Sequence, residues 1–79
     1  MKLLKLETNS CAECKRASAY LDSKGVTYSN VDVSENPDVA AKYSVMKVPV
    51  FLLMDQDENE VDRLLGFNQS KLDELINKL

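Results

Sequence analysis

The sequence predicts a small α/β domain in the order β-α-β-α-β-β-α, with a four-stranded mixed sheet ordered 2-1-3-4 and helices on both faces. Three observations predict it. Short runs rich in leucine, β-branched and aromatic residues alternate with segments whose apolar residues recur every three or four positions. The earlier strand-like runs are separated by helical segments, so the first β-α-β unit is expected to be right-handed and parallel. The last two runs are joined only by a short acidic turn, which makes them a hairpin.

Residues Lys2 to Glu7 read as the first strand, ending in the polar loop Thr8-Asn9-Ser10. From Cys11 to about Lys24 the pattern is helical, with Cys14, Ala17, Ser18 and Leu21 on one face and Gly25 as the stop. Val26 to Val33 reads as the second strand, although its alternation slips between Tyr28 and Val31. Asn36-Pro37 opens a short helix, with asparagine as cap and proline in the first helical position. Val39, Ala40 and Tyr43 form its inner face. Val48 to Met54 is nearly continuous in apolar residues, the mark of a strand covered on both faces. Asp55 to Asn59 is an acidic turn, read as a solvated hairpin tip that discourages edge pairing. Glu60 to Leu65 returns as an edge strand closed by Gly66. Ser70-Lys71-Leu72-Asp73 resembles a capping box, and Leu72, Leu75, Ile76 and Leu79 give the last helix one apolar stripe.

Composition narrows the function. A hydrophobic content of 44% with 29% charged residues fits one folded domain, residues 1–79, rather than a disordered chain. The net charge of −3 and the lack of a basic cluster argue against nucleic acid as a partner. The amino-terminal run is broken by charge, and no segment is long enough to cross a membrane, so a cytoplasmic location is expected.

Cys11 and Cys14 are the only cysteines, two residues apart, and the chain has no histidine. After a strand and at the start of a helix, this spacing reads as a thiol–disulfide redox site. Unpaired N–H groups and the helix dipole favour a thiolate at the first cysteine, and the second lies one turn further in. Cys11 is the expected nucleophile, forming a mixed disulfide that Cys14 resolves. Two other readings remain. The pair could be unreactive, though so small a loop does little for stability. It could also hold zinc or an iron–sulfur cluster, but one chain supplies two of four ligands, so a dimer or an external thiol would have to complete the set. Glu13 has two readings as well. It opposes thiolate formation, which Lys15 and Arg16 favour, or it forms a capping box with Ser10.

The order of elements, with CxxC after the first strand and Val48-Pro49 before the third, resembles the thioredoxin fold across essentially the whole chain. The back half is similar to thioredoxins: Asn36-Pro37, Ala41-Lys42-Tyr43-Ser44-Val45, Val48-Pro49 and Leu65-Gly66-Phe67 follow in order. The front half lacks their opening β-α unit and is similar to glutaredoxins and to the small redoxins that reduce ribonucleotide reductase. The resemblance implies a cis Val48-Pro49 bond lying against the CxxC, with Val48 and Pro49 receiving an extended substrate segment and Gly66 and Phe67 forming a third loop around the site. Met46 is either an apolar contact for partners or a loop residue tucked onto the core.

Departures from the family pattern shape the expectation. Thioredoxins usually have tryptophan before the motif, where Ser10 stands, and Gly-Pro between the cysteines, where Ala12-Glu13 stands. Their buried aspartate aligns with Lys5. The lysine and the Gly-Gly-X-Asp segment with which glutaredoxins bind glutathione are replaced by Glu7 or Thr8 and by Leu65-Gly66-Phe67-Asn68. The resemblance therefore implies a monomeric dithiol oxidoreductase with no bound cofactor beyond its redox-active disulfide. NADPH would supply electrons through a thioredoxin-reductase-type flavoprotein. Ribonucleotide reductase, peroxiredoxins and methionine sulfoxide reductases are the target classes it allows. A glutathione-dependent glutaredoxin-like protein is the alternative.

Overall fold

A computed structural model describes residues Met1–Leu79. The elements are β1 (Lys2–Glu7), α1 (Ala12–Ser23), β2 (Ser29–Asp32), α2 (Pro37–Lys42), β3 (Val50–Met54), β4 (Glu60–Leu65) and α3 (Gln69–Ile76). They form one mixed sheet ordered β2-β1-β3-β4, as the pattern predicted. β1 and β2 are parallel, and β3 runs antiparallel to both β1 and β4.

All five residues of β3 are buried, which explains why its sequence is continuous in apolar residues rather than alternating. Its two faces meet different partners. Phe51 and Leu53 join Leu3 and Leu64 beneath Ala17 and Leu21 of α1 and Leu72 and Leu75 of α3. Val50, Leu52 and Met54 join Leu6 on the other face, covered by Val39, Tyr43 and Val45 from α2 and its exit. Tyr20 locks α1 to α3: its hydroxyl donates to the Asp73 carboxylate, and its ring lies 5.8 Å from that of Phe67.

Element ends differ from the sequence expectation for local reasons. β2 starts at Ser29 because Val26 belongs to the exit of α1. Its N–H donates to the Leu21 carbonyl, and that of Gly25, at φ +67°, donates to the Asp22 carbonyl. This pair of bonds satisfies helix-end carbonyls and needs a left-handed residue, here glycine. α2 leaves in the same way through Ser44, at φ +55°, a residue that carries a Cβ. Asn36 sits at the cap position of α2, yet its side chain donates to the Asp32 carbonyl and not to the helix. The cap of α3 is Asn68, whose Oδ1 accepts from Lys71 N–H at 3.1 Å. Ser70 is already inside that helix, so the expected Ser70–Asp73 box does not form. The acidic hairpin tip is ordered by Asp55, whose carboxylate accepts the N–H groups of Asp57 and Asn59 at 2.9 Å.

Replacing Leu53 by alanine removes packing atoms from the centre of the larger core and should cost about 3 kcal/mol in urea unfolding of the oxidised protein. The exposed Val61→Ala should change stability by less than about 0.5 kcal/mol. Stability should also fall with acid. A Ser34 hydrogen bond lowers the pKa of Asp32, and ion pairs with Lys2, Arg63 and Lys78 lower those of Glu58, Glu60 and Asp62. Carboxyl groups depressed in the folded state stabilise it fully above their unfolded pKa, and the gain is lost as pH falls through the folded value. The urea midpoint should therefore be flat from about pH 7 to 5 and decline below about pH 4, to a modest extent because these groups face solvent.

Candidate active site

Strand register brings the site together. Leu6 of β1 and Leu65 of β4 both pair with Val50, the first residue of β3. The end of β1, the start of β3 and the end of β4 therefore lie side by side at one edge of the sheet. The loops that continue from them carry Cys11, Pro49 and Gly66.

The first loop turns through Thr8-Asn9-Ser10, and Cys11 then adopts an extended conformation as the cap of α1. Its sulfur accepts the Cys14 N–H at 3.0 Å, taking the role usually filled by a side-chain oxygen. The expected Ser10–Glu13 capping box is absent because the cap is one residue later. Cys11 and Cys14 are joined as a disulfide, with Cα atoms 5.2 Å apart. They are not equivalent: Cys11 is partly exposed, whereas Cys14 is 2% exposed. A substrate sulfur can reach only Cys11, and after reduction the helix N–H groups and dipole stabilise negative charge on that sulfur.

The Val48-Pro49 peptide bond is cis. Pro49 is buried, and its carbonyl accepts the Gly66 N–H at 2.9 Å, which ties the second loop to the third. A groove of about 640 Å³ runs between these loops, lined by Val48, Pro49, Gly66, Met46, Leu65 and Glu13 among others. Met46, 96% exposed, stands on its wall, clear of the core. Phe67 does not line the groove: its ring packs against the core beside Tyr20, and its N–H donates to Glu13 Oε1 at 2.7 Å. Glu13 thus spans from the cysteine segment to the third loop. Gly66, at φ +79°, brings the loop close enough that a Cβ there would meet Glu13 Oε1 at 3.5 Å.

Behind the disulfide, Lys5 is fully buried and donates to the Glu7 carboxylate and to Ser18 Oγ at 2.6 Å. The strand alternation that puts Leu3 in the core puts Lys5 there too, so its burial was readable, but its partners on α1 and β2 were not. No three His, Cys, Asp or Glu side chains converge as a metal-holding group.

This is the arrangement of a thiol–disulfide oxidoreductase: an accessible sulfur at a helix start, a hidden partner one turn away, and a proline-bordered groove beside them. Comparison with known proteins agrees. The glutaredoxin family model matches residues 1–57. The SPbeta prophage-derived thioredoxin-like protein YosR of Bacillus subtilis (strain 168) is 43% identical over 79 residues, covering 100% of this chain and 99% of that protein. Thioredoxin of Staphylococcus aureus is 35% identical over 75 residues, covering 86% of this chain and 71% of its own. Among solved structures, Fasciola hepatica thioredoxin superposes with a TM-score of 0.85 at 32% identity, over 96% of this chain and 77% of that one. Thioredoxin NaTrxh from Nicotiana alata gives 0.86 at 28% identity, over 96% and 70%. The chain belongs to the thioredoxin-like family.

Removing the carboxylate with Glu13→Ala should leave the Phe67 N–H without its partner and cost the oxidised protein about 1 kcal/mol in urea unfolding. Glu13→Gln keeps an acceptor oxygen and should recover most of that loss.

Proposed function

We propose that this protein is a cytoplasmic, monomeric dithiol electron donor that reduces protein disulfides and is itself reduced by a thioredoxin-reductase-type flavoprotein using NADPH. The observation that carries this reading is the character of the groove beside the disulfide. It is bordered by Met46, Val48, Pro49 and Leu65, an apolar lining that suits an extended apolar peptide. Apolar side chains can pack along it while the backbone of Val48 pairs with the substrate chain, because a following proline leaves that edge of the loop without a competing donor. Cys11 attacks one sulfur of the target disulfide, and Cys14 then displaces the reduced target. Ribonucleotide reductase and peroxiredoxins are candidate targets. The similarity to named thioredoxins over most of the chain supports the flavoprotein as electron source.

A second reading, recycling by glutathione, is favoured by the match of residues 1–57 to the glutaredoxin model. Against it, Glu7 or Thr8 stands where a glutathione-binding relative puts a lysine, so the cation that would receive a glutathione carboxylate is missing.

The two readings separate in an NADPH-consumption assay with insulin as the disulfide. We expect turnover with thioredoxin reductase, none with glutathione plus glutathione reductase, and complete loss in Cys11→Ser. Cys14→Ser should stall as a stable mixed disulfide with the target, visible by mass. Turnover supported by glutathione alone would overturn the flavoprotein reading.

A further inference from the structure

Glu13 carries a charge that its structural role does not need. Its Oε1 accepts the Phe67 N–H at 2.7 Å, and the neutral oxygen of an amide side chain could accept that bond as well. None of the ion pairs in the molecule includes Glu13. Its Oε2 receives no hydrogen bond, and since no buried side-chain oxygen is left without a partner, Oε2 lies open to solvent. The residue is half-buried and tied through Oε1, so the free oxygen is held in one place.

That place is the wall of the groove. Glu13 lines it together with Met46, Val48, Pro49 and Gly66. Oε1 lies 3.5 Å from where a Cβ on Gly66 would stand, and the Gly66 N–H donates to the Pro49 carbonyl at 2.9 Å. The carboxylate therefore sits against the loop that is tied to the proline loop. Two peptide units separate Glu13 from Cys11, so their Cα atoms are at most about 7 Å apart. A target chain joined to Cys11 through its sulfur brings the neighbours of its own cysteine within side-chain reach of Oε2. The groove has two other charged residues. Arg63 is already engaged: Nε and Nη2 each donate to the Glu60 carboxylate at 2.6 Å, and Nη2 also donates to the Tyr43 carbonyl at 2.9 Å. Lys47 is exposed, stands beside Val48 and makes no ion pair with Glu13.

We propose that Glu13 determines the specificity of the groove, selecting target disulfides whose attacked cysteine is flanked by lysine or arginine. This rests on the reading that the groove receives the target chain, and it names the class of that chain. The ammonium or guanidinium of the target pairs with Oε2 while Oε1 keeps the Phe67 N–H. An acidic residue beside the target cysteine meets like charge at the same point and is disfavoured. The exchange itself balances as before. The Cys11 thiolate attacks one target sulfur and the target disulfide breaks, then Cys14 attacks Cys11 and the second target sulfur leaves. Two protein thiols are oxidised, one target disulfide is reduced, and the protons given up by the protein thiols pass through solvent to the two departing sulfurs.

The test uses the reduced protein alone, without a reductase, and homodimeric disulfides of short synthetic peptides. Acid quenching and chromatography follow the release of peptide thiol and give a second-order rate. Two peptides share one composition: the first has lysine on both sides of its cysteine, and the second has the same lysines at its two ends. Their equal charge cancels the general attraction of a chain of net charge −3 for basic peptides. The flanked isomer should react about 5-fold faster at low ionic strength, the scale of one solvent-accessible ion pair. That advantage should fall by at least half in about 0.5 M salt. Glu13→Gln keeps an acceptor for Phe67 and should bring the two rates together, and Glu13→Lys should invert their order. The salt series needs only the unsubstituted protein, so it decides the matter even if a variant folds poorly. Equal rates for the two isomers, or an advantage that survives Glu13→Gln or high salt, would overturn the proposal and leave the dithiol donor reading standing. Failure of every peptide disulfide to react would overturn both.

Discussion

Burial of β3 on both faces is the constraint from which the rest of the structure follows. A strand with no exposed residue needs cover above and below and a partner on each edge. α1 and α3 supply one cover, α2 and its exit the other, and β1 and β4 take the edges. Because both neighbours run antiparallel to it, their carboxyl ends flank its amino end. The redox loop, the proline loop and the loop before α3 are therefore brought to one edge by the same pairing that fills the core. Site and stability are inseparable in a chain this small: the strand that anchors the core also sets the position of Pro49.

At that edge, the two sulfurs of the disulfide have different surroundings. The sulfur of Cys11 is partly exposed and accepts the Cys14 N–H at the start of α1. Cys14 is hidden from substrate and lines a separate cleft with Glu7 and Ser18. The asymmetry gives the reaction its order, since only one sulfur can be attacked from outside and only the other can resolve the product. Glu13 bridges the cysteine segment to the loop before α3 and so makes the spacer part of the tertiary structure. A carboxylate that looked like a local helix cap is instead a long-range tether.

Much of this was legible in the order of residues. Strand and helix periods, the hairpin and the sheet order depend on which side chains must leave water, and that information is local. The CxxC at a strand–helix junction and Val48-Pro49 ahead of an apolar strand located the site for similar reasons. Helix exits were less legible. The end of the first helix at Gly25 was readable, but that Val26 would close it and shorten β2 depends on hydrogen bonds that compete with sheet pairing. The cap of α3 moved from Ser70 to Asn68 because the chain leaving β4 reaches a helical conformation two residues sooner than the side-chain pattern suggests.

The sequence by itself determined the fold, the redox pair and the order in which its sulfurs act, because these rest on apolar periodicity and on residues close together in the chain. Tertiary structure alone decided the partners of charged side chains. Glu13 meets an amide 54 positions away, and Lys5 finds Ser18 and Asn30 on elements that only packing brings beside it. A charge in a sequence carries no mark of what it will face. Its partner is chosen when the core closes, since a buried ammonium or a half-buried carboxylate must then find a hydrogen bond within reach.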